Sequence, residues 1–372
     1  MKQLRWTTPV ANLMFALLLA FGSTTAARVH AAKPQPEYCA AGVEFLGFSD
    51  ALNKQAFEGT SVGGLSGLVY DRQRDVYYSV VDTTDARFYT LRIPVTRDGI
   101  GEPEILDVTP LVDSNGQPFA NYDAEGIALT RQGELLVSSE VEPSIRRFSL
   151  DGTLLGELPV PERFRVAPAG QGQRNLTFES LSLSPNGRSL FTATEGALLP
   201  DGTTADSRSR TRILRYEDRG PGGFEPAEQF PYLTDPNLFI AEVLALSEHE
   251  LLVLERGFAP DQGNTIRVYY VSLRDAEDVS DVTSLATAGI APLEKDLVFD
   301  LASCPPSGAP NKATQANPLL DNFEGLALGP HLPGGQRALL LQSDDNFRST
   351  QITRVIAVGV QLHGQGSVGG TP

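Results

Sequence analysis

Short runs of alternating apolar and polar residues follow one another along most of the chain, separated by turn residues. One run recurs five times: an apolar or small residue, then Glu (Ser in the first copy), a small residue and an apolar alternation, at 65–70, 124–129, 178–183, 241–246 and 323–328. Alternation with a period of two is typical of β-strands. Successive copies begin 54 to 82 residues apart, and repetition at such a spacing is typical of a repeat architecture.

Each copy leads through a turn into a second apolar run that ends in an acidic residue, and a third and often a fourth strand-like run follow. Such a unit is the size of a propeller blade. We therefore predict an all-β fold: a β-propeller of four-stranded blades, five of them visible as repeats, with a sixth if the stretch 274–323 hides one. A β-sandwich with chance similarity is the alternative. The last unit lacks a fourth strand, so we expect residues 43–48 to close it and remove an open edge.

The two ends of the chain are predicted to lie outside the propeller domain, which is expected over residues 32–363. Residues 1–31 resemble a secretory signal peptide, because a positively charged start precedes a 12-residue apolar run that is short for a bilayer span. A retained membrane anchor is the alternative. The Gly-rich residues 364–372 are expected to form a disordered tail.

Export would place the protein in the periplasm or the medium, where disulfides form. Cys39 and Cys304 then either pair or remain as two buried thiols. The formal net charge is −16, from 30 Lys plus Arg and 46 Asp plus Glu, which argues against a nucleic-acid partner. We expect a monomer that acts on a small molecule and has no membrane contact after signal removal.

The repeated acids are predicted to form a ring at one mouth of the central channel. In a hairpin, the start of the first strand lies opposite the end of the second. The predicted neighbours are Glu125 with Glu140, Glu179 with Glu195, Glu242 with Glu255, Glu324 with Asp344, and Ser66 with Asp82. Crowded carboxylates must either raise their pKa values or admit cations, and an oxygen-only set suits Ca²⁺ or Mg²⁺. Alternatively, the Glu side chains accept hydrogen bonds from backbone amides between blades.

Other chemistries find little support in the sequence. The few His and Cys residues are scattered and do not make a zinc site, and no Gly-x-Ser-x-Gly elbow, P-loop or dinucleotide fingerprint occurs. Arg256, Arg87 and Arg348 follow acidic residues closely and are predicted to bind an anionic substrate. Simple charge compensation is their alternative role.

The segments 65–71, 123–129, 175–195 and 322–328, with Gln342-Ser-Asp-Asp-Asn-Phe347, resemble the phytase-like domain described as "esterase-like activity of phytase". The resemblance extends over about residues 42–362. It implies a propeller-fold phosphoester or phosphodiester hydrolase whose site is built from repeated acids. Carried onto this chain, those acids are Glu125, Glu140, Glu179, Glu195, Glu324, Asp344 and Asp345. Glu242 departs from the Glu-Gly pattern of the family.

We therefore expect an exported phosphoric-ester hydrolase with a divalent metal, calcium being the first choice. The predicted catalytic residues are Glu179, Glu195 and Glu125. The predicted metal ligands are Glu125, Glu140, Glu179, Glu195, Glu242, Glu255, Glu324, Asp82, Asp344 and Asp345. Two other functions stay open: a non-catalytic ligand-binding propeller and a calcium-dependent esterase of the lactonase type, since calcium in a channel can also polarise a carbonyl.

Overall fold

Antiparallel β-sheets make up almost all of the regular structure in the computed structural model, which describes residues 36–220 and 223–362. The predicted signal peptide and tail lie outside those residues. Two 3₁₀ helices occur in the described part, Glu162–Phe164 and Leu301–Ser303, and no helix there is long and apolar enough to cross a membrane. The strands are β1 (Glu37–Ala40), β2 (Val43–Ser49), β3 (Ala56–Phe57), β4 (Thr60–Ser61), β5 (Leu65–Asp71), β6 (Val76–Val81), β7 (Arg87–Arg92), β8 (Val95–Thr96), β9 (Gly99–Ile100), β10 (Glu104–Pro110), β11 (Ala124–Leu129), β12 (Leu135–Ser139), β13 (Ser144–Phe148), β14 (Leu154–Glu157), β15 (Ser182–Leu183), β16 (Ser189–Ala193), β17 (Arg210–Asp218), β18 (Phe224–Leu233), β19 (Phe239–Ala245), β20 (Glu250–Ala259), β21 (Gly263–Ser272), β22 (Lys295–Asp300), β23 (Phe323–His331), β24 (Arg337–Ser343) and β25 (Val355–Val360).

Five sheets form the blades of a β-propeller, as the repeats predict. Blade 1 has the order β5-β6-β7-β10, blade 2 β11-β12-β13-β14, blade 3 β15-β16-β17-β18 and blade 4 β19-β20-β21-β22. In each, the strand that carries the repeat comes first and is the innermost. The stretch 274–323 contributes β22 to the outer edge of blade 4, the 3₁₀ helix Leu301–Ser303 and, at its last residue, the start of β23. The rest of it is irregular, so the described residues contain no sixth blade.

Blade 5 joins the two ends of the described chain, with the order β23-β24-β25-β2-β1. Strand β2 pairs antiparallel with β25 over Val43↔Val360 to Ser49↔Val355. This confirms the prediction that residues 43–48 close the last blade. An additional strand, β1, extends the sheet beyond the predicted four.

The blades pack against one another through five hydrophobic layers, one at each interface between neighbouring blades. Between blades 1 and 2, for example, Val80 and Phe88 belong to the same buried cluster as Ile127 and Val137. A sheet that is apolar on both faces is buried by two neighbours. The continuous apolar runs of the second strands follow from this arrangement.

Small residues after the repeated acid let the inner strands approach closely around the axis. A Cβ added at Gly67 would lie 2.4 Å from the Glu125 carbonyl oxygen, and one added at Gly126 would lie 2.3 Å from the Leu181 backbone nitrogen. At Gly325 the nearest atom would be the Ser66 carbonyl oxygen, at 2.7 Å. Each of these glycines therefore holds the place where one inner strand meets the next blade.

A disulfide between Cys39 and Cys304 links β1 to the end of the 3₁₀ helix that follows β22. The outermost strand of blade 5 is thereby tied to the outer edge of blade 4. The pairing alternative for the two cysteines is confirmed, and the two-thiol alternative is wrong.

We expect Gly126→Ala to destabilise the protein by about 1–3 kcal/mol or more, because the new methyl group has no room against Leu181. Gly156→Ala, on the outer strand of the same blade, is the matched control, since its Cβ would meet nothing within 4 Å. Thermal and urea unfolding of both variants measures the difference. Equal stability of the two variants would contradict the proposed close approach.

Removal of the disulfide in the double variant Cys39→Ala, Cys304→Ala should lower the free energy of unfolding by about 2–4 kcal/mol, because the bond closes a very long loop. The loop spans 265 residues. Thermal unfolding with and without reductant tests this. Reductant should shift the wild-type transition and leave that of the double variant unchanged; a wild-type transition insensitive to full reduction would show that the bond does not stabilise the ring.

Candidate functional site

A cavity of about 500 Å³ opens at the end of the propeller where the inner strands begin. Two arginines, Arg256 and Arg348, and nine acidic side chains line it; the acids are Asp82, Asp123, Glu125, Glu140, Glu179, Glu195, Asp321, Glu324 and Asp344. Most of these acids are buried. The predicted convergence of repeated acids at one mouth therefore has a counterpart in the structure.

The acids converge through a register that differs from the predicted one. In four blades, the acid that follows the second strand donates its backbone N–H to the carbonyl oxygen of the residue two positions before the repeated acid, or before Ser66 in blade 1. The hydrogen bonds run from Asp82 to Gly64 (2.7 Å), Glu140 to Asp123 (3.2 Å), Glu195 to Thr177 (2.8 Å) and Asp344 to Asn322 (2.8 Å). The predicted direct pairings, Glu125 with Glu140 among them, are thus wrong by two positions, and in blade 4 Glu255 likewise lies opposite Ile240 and not Glu242. The cause is an irregularity at the repeated acid, for example between Ala124 and Ile127, since a β-bulge shifts the register and re-aims a side chain.

Carboxylate oxygens from four blades form one connected cluster. Three groups have oxygens within 4.8 Å of one another: Asp82, Asp123 and Glu125; Glu125, Glu179 and Glu324; and Glu140, Glu179 and Glu195. Glu125 and Glu179 each belong to two groups and so connect all three. Ser66, which replaces the repeated Glu in blade 1, donates from its hydroxyl to Glu125 at 2.8 Å.

One guanidinium neutralises part of this cluster. Nη2 of Arg256 lies 3.0 Å from Glu179, 2.9 Å from Glu195 and 3.0 Å from Glu324. These three carboxylates come from blades 3 and 5, and Arg256 extends from β20 of blade 4. Arg256 therefore bridges three blades at the axis.

The group of Asp82, Asp123 and Glu125 lies outside the ion pairs of Arg256. Among the described residues, no Lys or Arg forms an ion pair with any of the three. Asp344 lines the same cavity, and its Oδ2 is buried without a hydrogen-bond partner in the described part of the chain. When the carboxyl groups on this side of the cavity ionise, no ion pair with a described Lys or Arg offsets the charge of Asp82, Asp123 or Glu125.

Burial and mutual repulsion raise the pKa values of the cavity acids. Burial, with the nearby Asp123, Asp344 and Glu324, raises the pKa of Asp82 to about 9. Burial and the charge of Glu195 raise the pKa of Glu140 to about 8, although the hydrogen bond that Glu140 accepts from the Thr177 backbone amide acts to lower it. The pKa values of Glu125, Glu179 and Asp344 are raised well above the ordinary range, chiefly by burial.

Blade 4 departs from the pattern, and its two predicted ligands lie away from the cavity. Glu242 accepts hydrogen bonds from the backbone amides of Leu181 at 3.1 Å and Val243 at 3.0 Å, which is the alternative role considered for the repeated acids. Glu255 accepts from the Tyr232 hydroxyl at 2.6 Å and pairs with Lys295. Neither residue lines the cavity.

Of three further predicted site residues, Arg348 lines the cavity, whereas Asp345 and Arg87 do not. Asp345 accepts hydrogen bonds from the Gly64 and Phe347 amides and the Thr353 hydroxyl, pairs with Lys54, and does not line the cavity. Arg87 binds the Asp85 carbonyl oxygen at 3.0 Å, also away from the cavity. Arg348 is exposed and lines the cavity, as does Arg256.

Sequence reasoning missed Asp123, Asn322 and Asp321. Asp123 and Asn322 both stand two residues before a repeated Glu, and alternation along a strand places such positions on the same face. The side-chain amide nitrogen of Asn322 donates to the Glu324 carboxylate at 2.9 Å. A polar residue two positions before a repeated Glu therefore indicates, from the sequence alone, a side chain near the repeated acid. Asp321 lies next to Asn322 and has no equivalent in the other repeats.

The donor set fits a divalent cation of the hard type. All the donors are oxygens, as Ca²⁺ and Mg²⁺ prefer, and Asp344, whose charge acts on Asp82, lines the same cavity with a buried Oδ2 that has no hydrogen-bond partner among the described residues. Asp82, Asp123, Glu125 and Asp344 are the residues best placed to hold such an ion, while Glu179, Glu195 and Glu324 are already engaged by Arg256.

Fold and site together define a five-bladed β-propeller with a carboxylate-lined axial cavity. The chain belongs to the phytase-like family: the family model described as "Esterase-like activity of phytase" matches residues 60–347, well over half of the chain. The resemblance found in the sequence is confirmed. No curated protein matches the chain.

Several solved structures are similar to the chain at low identity. A luciferin-regenerating enzyme has a TM-score of 0.38 and 14% identity, covering 85% of this chain and 94% of its own. A virginiamycin B lyase from Staphylococcus aureus has a TM-score of 0.36 and 10% identity, covering 82% and 68%. U3-55K has a TM-score of 0.35 and 12% identity, covering 88% and 100%. Likeness at this level carries no argument about activity.

The raised pKa values predict that the cation-free protein loses stability as the pH rises. Because Asp82 and Glu140 have folded-state pKa values of about 9 and 8, above their ordinary values, the folded protein holds more protons than the unfolded chain between about pH 4 and 9. Thermal unfolding in chelator at pH 5, 7 and 9 should show a falling transition temperature. Asp82→Asn should flatten that dependence, and a transition temperature that rises over this range would contradict the assignment.

Proposed function

We propose that the protein hydrolyses phosphoric esters, either phosphomonoesters or phosphodiesters, in the axial cavity with the help of a divalent cation, calcium being the first candidate. Membership of the phytase-like family supports a hydrolase. The observation that carries the proposal is the uneven neutralisation of the cavity: Arg256 engages one side, and the side with Asp82, Asp123, Glu125 and the unpaired Asp344 oxygen is left for a cation.

The two sides of the cavity have different roles in this proposal. Asp82, Asp123, Glu125 and Asp344 hold the cation. When bound, a divalent cation supplies charge neutralisation for phosphoryl oxygens and lowers the pKa of a nearby water. Arg256 faces the substrate from the other side, where its guanidinium offsets negative charge that develops on the phosphoryl group. Arg348, exposed at the rim, attracts the anionic substrate into an otherwise acidic cavity.

Glu179 and Glu195 carry the proton transfers. They share the Nη2 atom of Arg256 and lie in one group with Glu140, so the three carboxylates do not all ionise together. Arg256 opposes the rise in the pKa of Glu195, and this carboxylate accepts the proton of the attacking water. The pKa of Glu179 is raised well above its ordinary range, and its proton passes to the leaving alcohol oxygen as the P–O bond breaks.

The setting of the reaction is part of the same proposal. The Cys39–Cys304 disulfide supports export to the periplasm or the medium, since such bonds persist in oxidising compartments. The net charge of −16 supports a small-molecule substrate over nucleic acid. We expect the exported protein to act as a monomer, independent of a membrane.

Metal binding and turnover of the purified protein test the proposal directly. Mass spectrometry after dialysis should find a retained divalent ion. Members of a panel of phosphomonoesters and phosphodiesters should be hydrolysed when that ion is present, and chelator should abolish the hydrolysis. Asp82→Asn should weaken calcium binding about 10-fold or more. Glu195→Gln should retain calcium and lower kcat by about 10²–10⁴.

Glu242→Gln is the matched control, because Glu242 occupies the same repeat position in blade 4, is buried, and lies outside the cavity. Calcium affinity and turnover should match the wild type. Retained metal without turnover of any phosphoester would favour a binding propeller. Turnover of lactones alone would favour the lactonase-type esterase.

A further inference from the structure

Blade 4 carries a hairpin arm, residues 256–264, that projects past the ends of the equivalent strands in other blades. Strands β6, β12 and β24 each end immediately before their acidic residue, whereas β20 continues through Glu255 to Ala259. The arm remains paired with β21 as far as Ala259↔Gly263. The extension places additional side chains of blade 4 over the cavity.

The arm is held firmly from both sides. The Asn264 amide donates to the Gln315 side chain at 2.7 Å, and a Cβ added at Gly263 would lie 2.3 Å from that same oxygen. On the other strand, a Cβ at Gly257 would lie 2.5 Å from the Asn237 carbonyl oxygen. These close contacts fix the arm as a rigid platform, which lowers the cost of ordering it when a ligand binds.

Alternation along β20 places Phe258 on the same face as Arg256. Both side chains line the cavity, yet Phe258 is 66% exposed, the highest value among the large hydrophobic residues of the described chain. Leu176, from the segment before β15, also lines the cavity. The Arg256 guanidinium is thus accompanied in the cavity lining by apolar surface, of which the Phe258 ring is the most exposed part.

The charge of the cavity limits how anionic a substrate can be. Nine acidic side chains line it against two arginines, and the raised pKa values keep several of these acids protonated near pH 7, so the lining would offer a substrate only the charge of the two arginines and of one bound divalent cation. A substrate with many phosphate groups would carry more negative charge than these cations neutralise, and the ionised carboxylates would repel it. A single phosphoryl group would need only Arg256 and one cation held by the acids of the other side, and the rest of such a molecule would then be free to contact Phe258.

We propose that Phe258 determines specificity by packing against an aromatic or similarly apolar substituent of a substrate that carries one phosphoryl group. This inference rests on the proposed phosphoester function and goes further by naming the substrate class. The favourable contribution comes from burying the exposed ring against the substituent, in addition to the charge contacts made by the phosphoryl group.

Two non-hydrolysable ligands test the contact without a change of leaving group. Phenylphosphonate and methylphosphonate share the same head group and differ in the apolar substituent. We would measure both as competitive inhibitors of whichever phosphoester the full-length protein hydrolyses with calcium, and by calorimetric titration. The wild type should bind phenylphosphonate about tenfold more tightly than methylphosphonate.

Substitutions at Phe258 should change that ratio according to whether they keep the aromatic ring. Phe258→Ala should bring the two affinities together, and Phe258→Tyr, which keeps the ring, should preserve the preference. Since the ring is largely exposed, neither change should shift the unfolding temperature. Leu297→Ala is the matched control, because Leu297 is 54% exposed on the outer strand β22, away from the cavity, and its loss should leave the ratio intact.

The outcomes separate this inference from the function on which it rests. Equal wild-type affinities, or a preference that survives in Phe258→Ala while phosphoesters are still hydrolysed, would overturn the role of Phe258 and leave the hydrolase proposal standing. Failure to hydrolyse any phosphoester with calcium present would overturn the proposed function itself.

Discussion

The close approach of five inner strands around one axis is the constraint from which the other features of this propeller follow. Gly67, Gly126 and Gly325 stand where any larger side chain would collide with the backbone of the neighbouring blade. The same approach brings the acid that precedes each of these positions, or the Ser66 that replaces it, towards its equivalents. Packing alone therefore concentrates negative charge at one end of the axis, where carboxylates of separate blades come within a few ångströms of one another.

Crowded charge of this kind can be stabilised by protonation, by an internal cation or by a bound ion, and blade 4 supplies the internal cation. Glu255 directs its carboxylate to Tyr232 and Lys295, and the next residue, Arg256, enters the cavity. Adjacent residues of a strand point to opposite faces. The Glu255 carboxylate therefore lies outside the cavity, while the guanidinium of the next residue, Arg256, lies inside it. The departure of blade 4 from the repeat makes the cavity asymmetric, with one side neutralised and the other open to a cation.

Alternation along the sequence was sufficient to predict most blade strands, the five repeated units and the closing strand, because the pattern of buried positions is local. It was also sufficient to bring Glu125, Glu179 and Glu195 to one mouth. It could not decide whether residues 274–323 held a sixth blade. The irregularity at each repeated acid could not be predicted, since a bulge depends on backbone packing around the axis. For the same reason the sequence could not show that Glu242 accepts a hydrogen bond from the Leu181 backbone amide or that Asp345 accepts one from the Gly64 backbone amide.

Ring closure and the site are coupled, because the acids that repel one another belong to blades held together at the seam. Blade 5, which contributes Glu324 and Asp344, is completed by β2 from the start of the described chain and faces blade 1, which contributes Asp82. Repulsion across the cavity acts against the hydrogen bonds of β2 with β25, against the apolar layers between blades, and against the disulfide that ties β1 to the edge of blade 4. A cation that binds only when these blades are assembled would stabilise the closed ring by mass action, so the same carboxylates that weaken the free propeller would strengthen the occupied one.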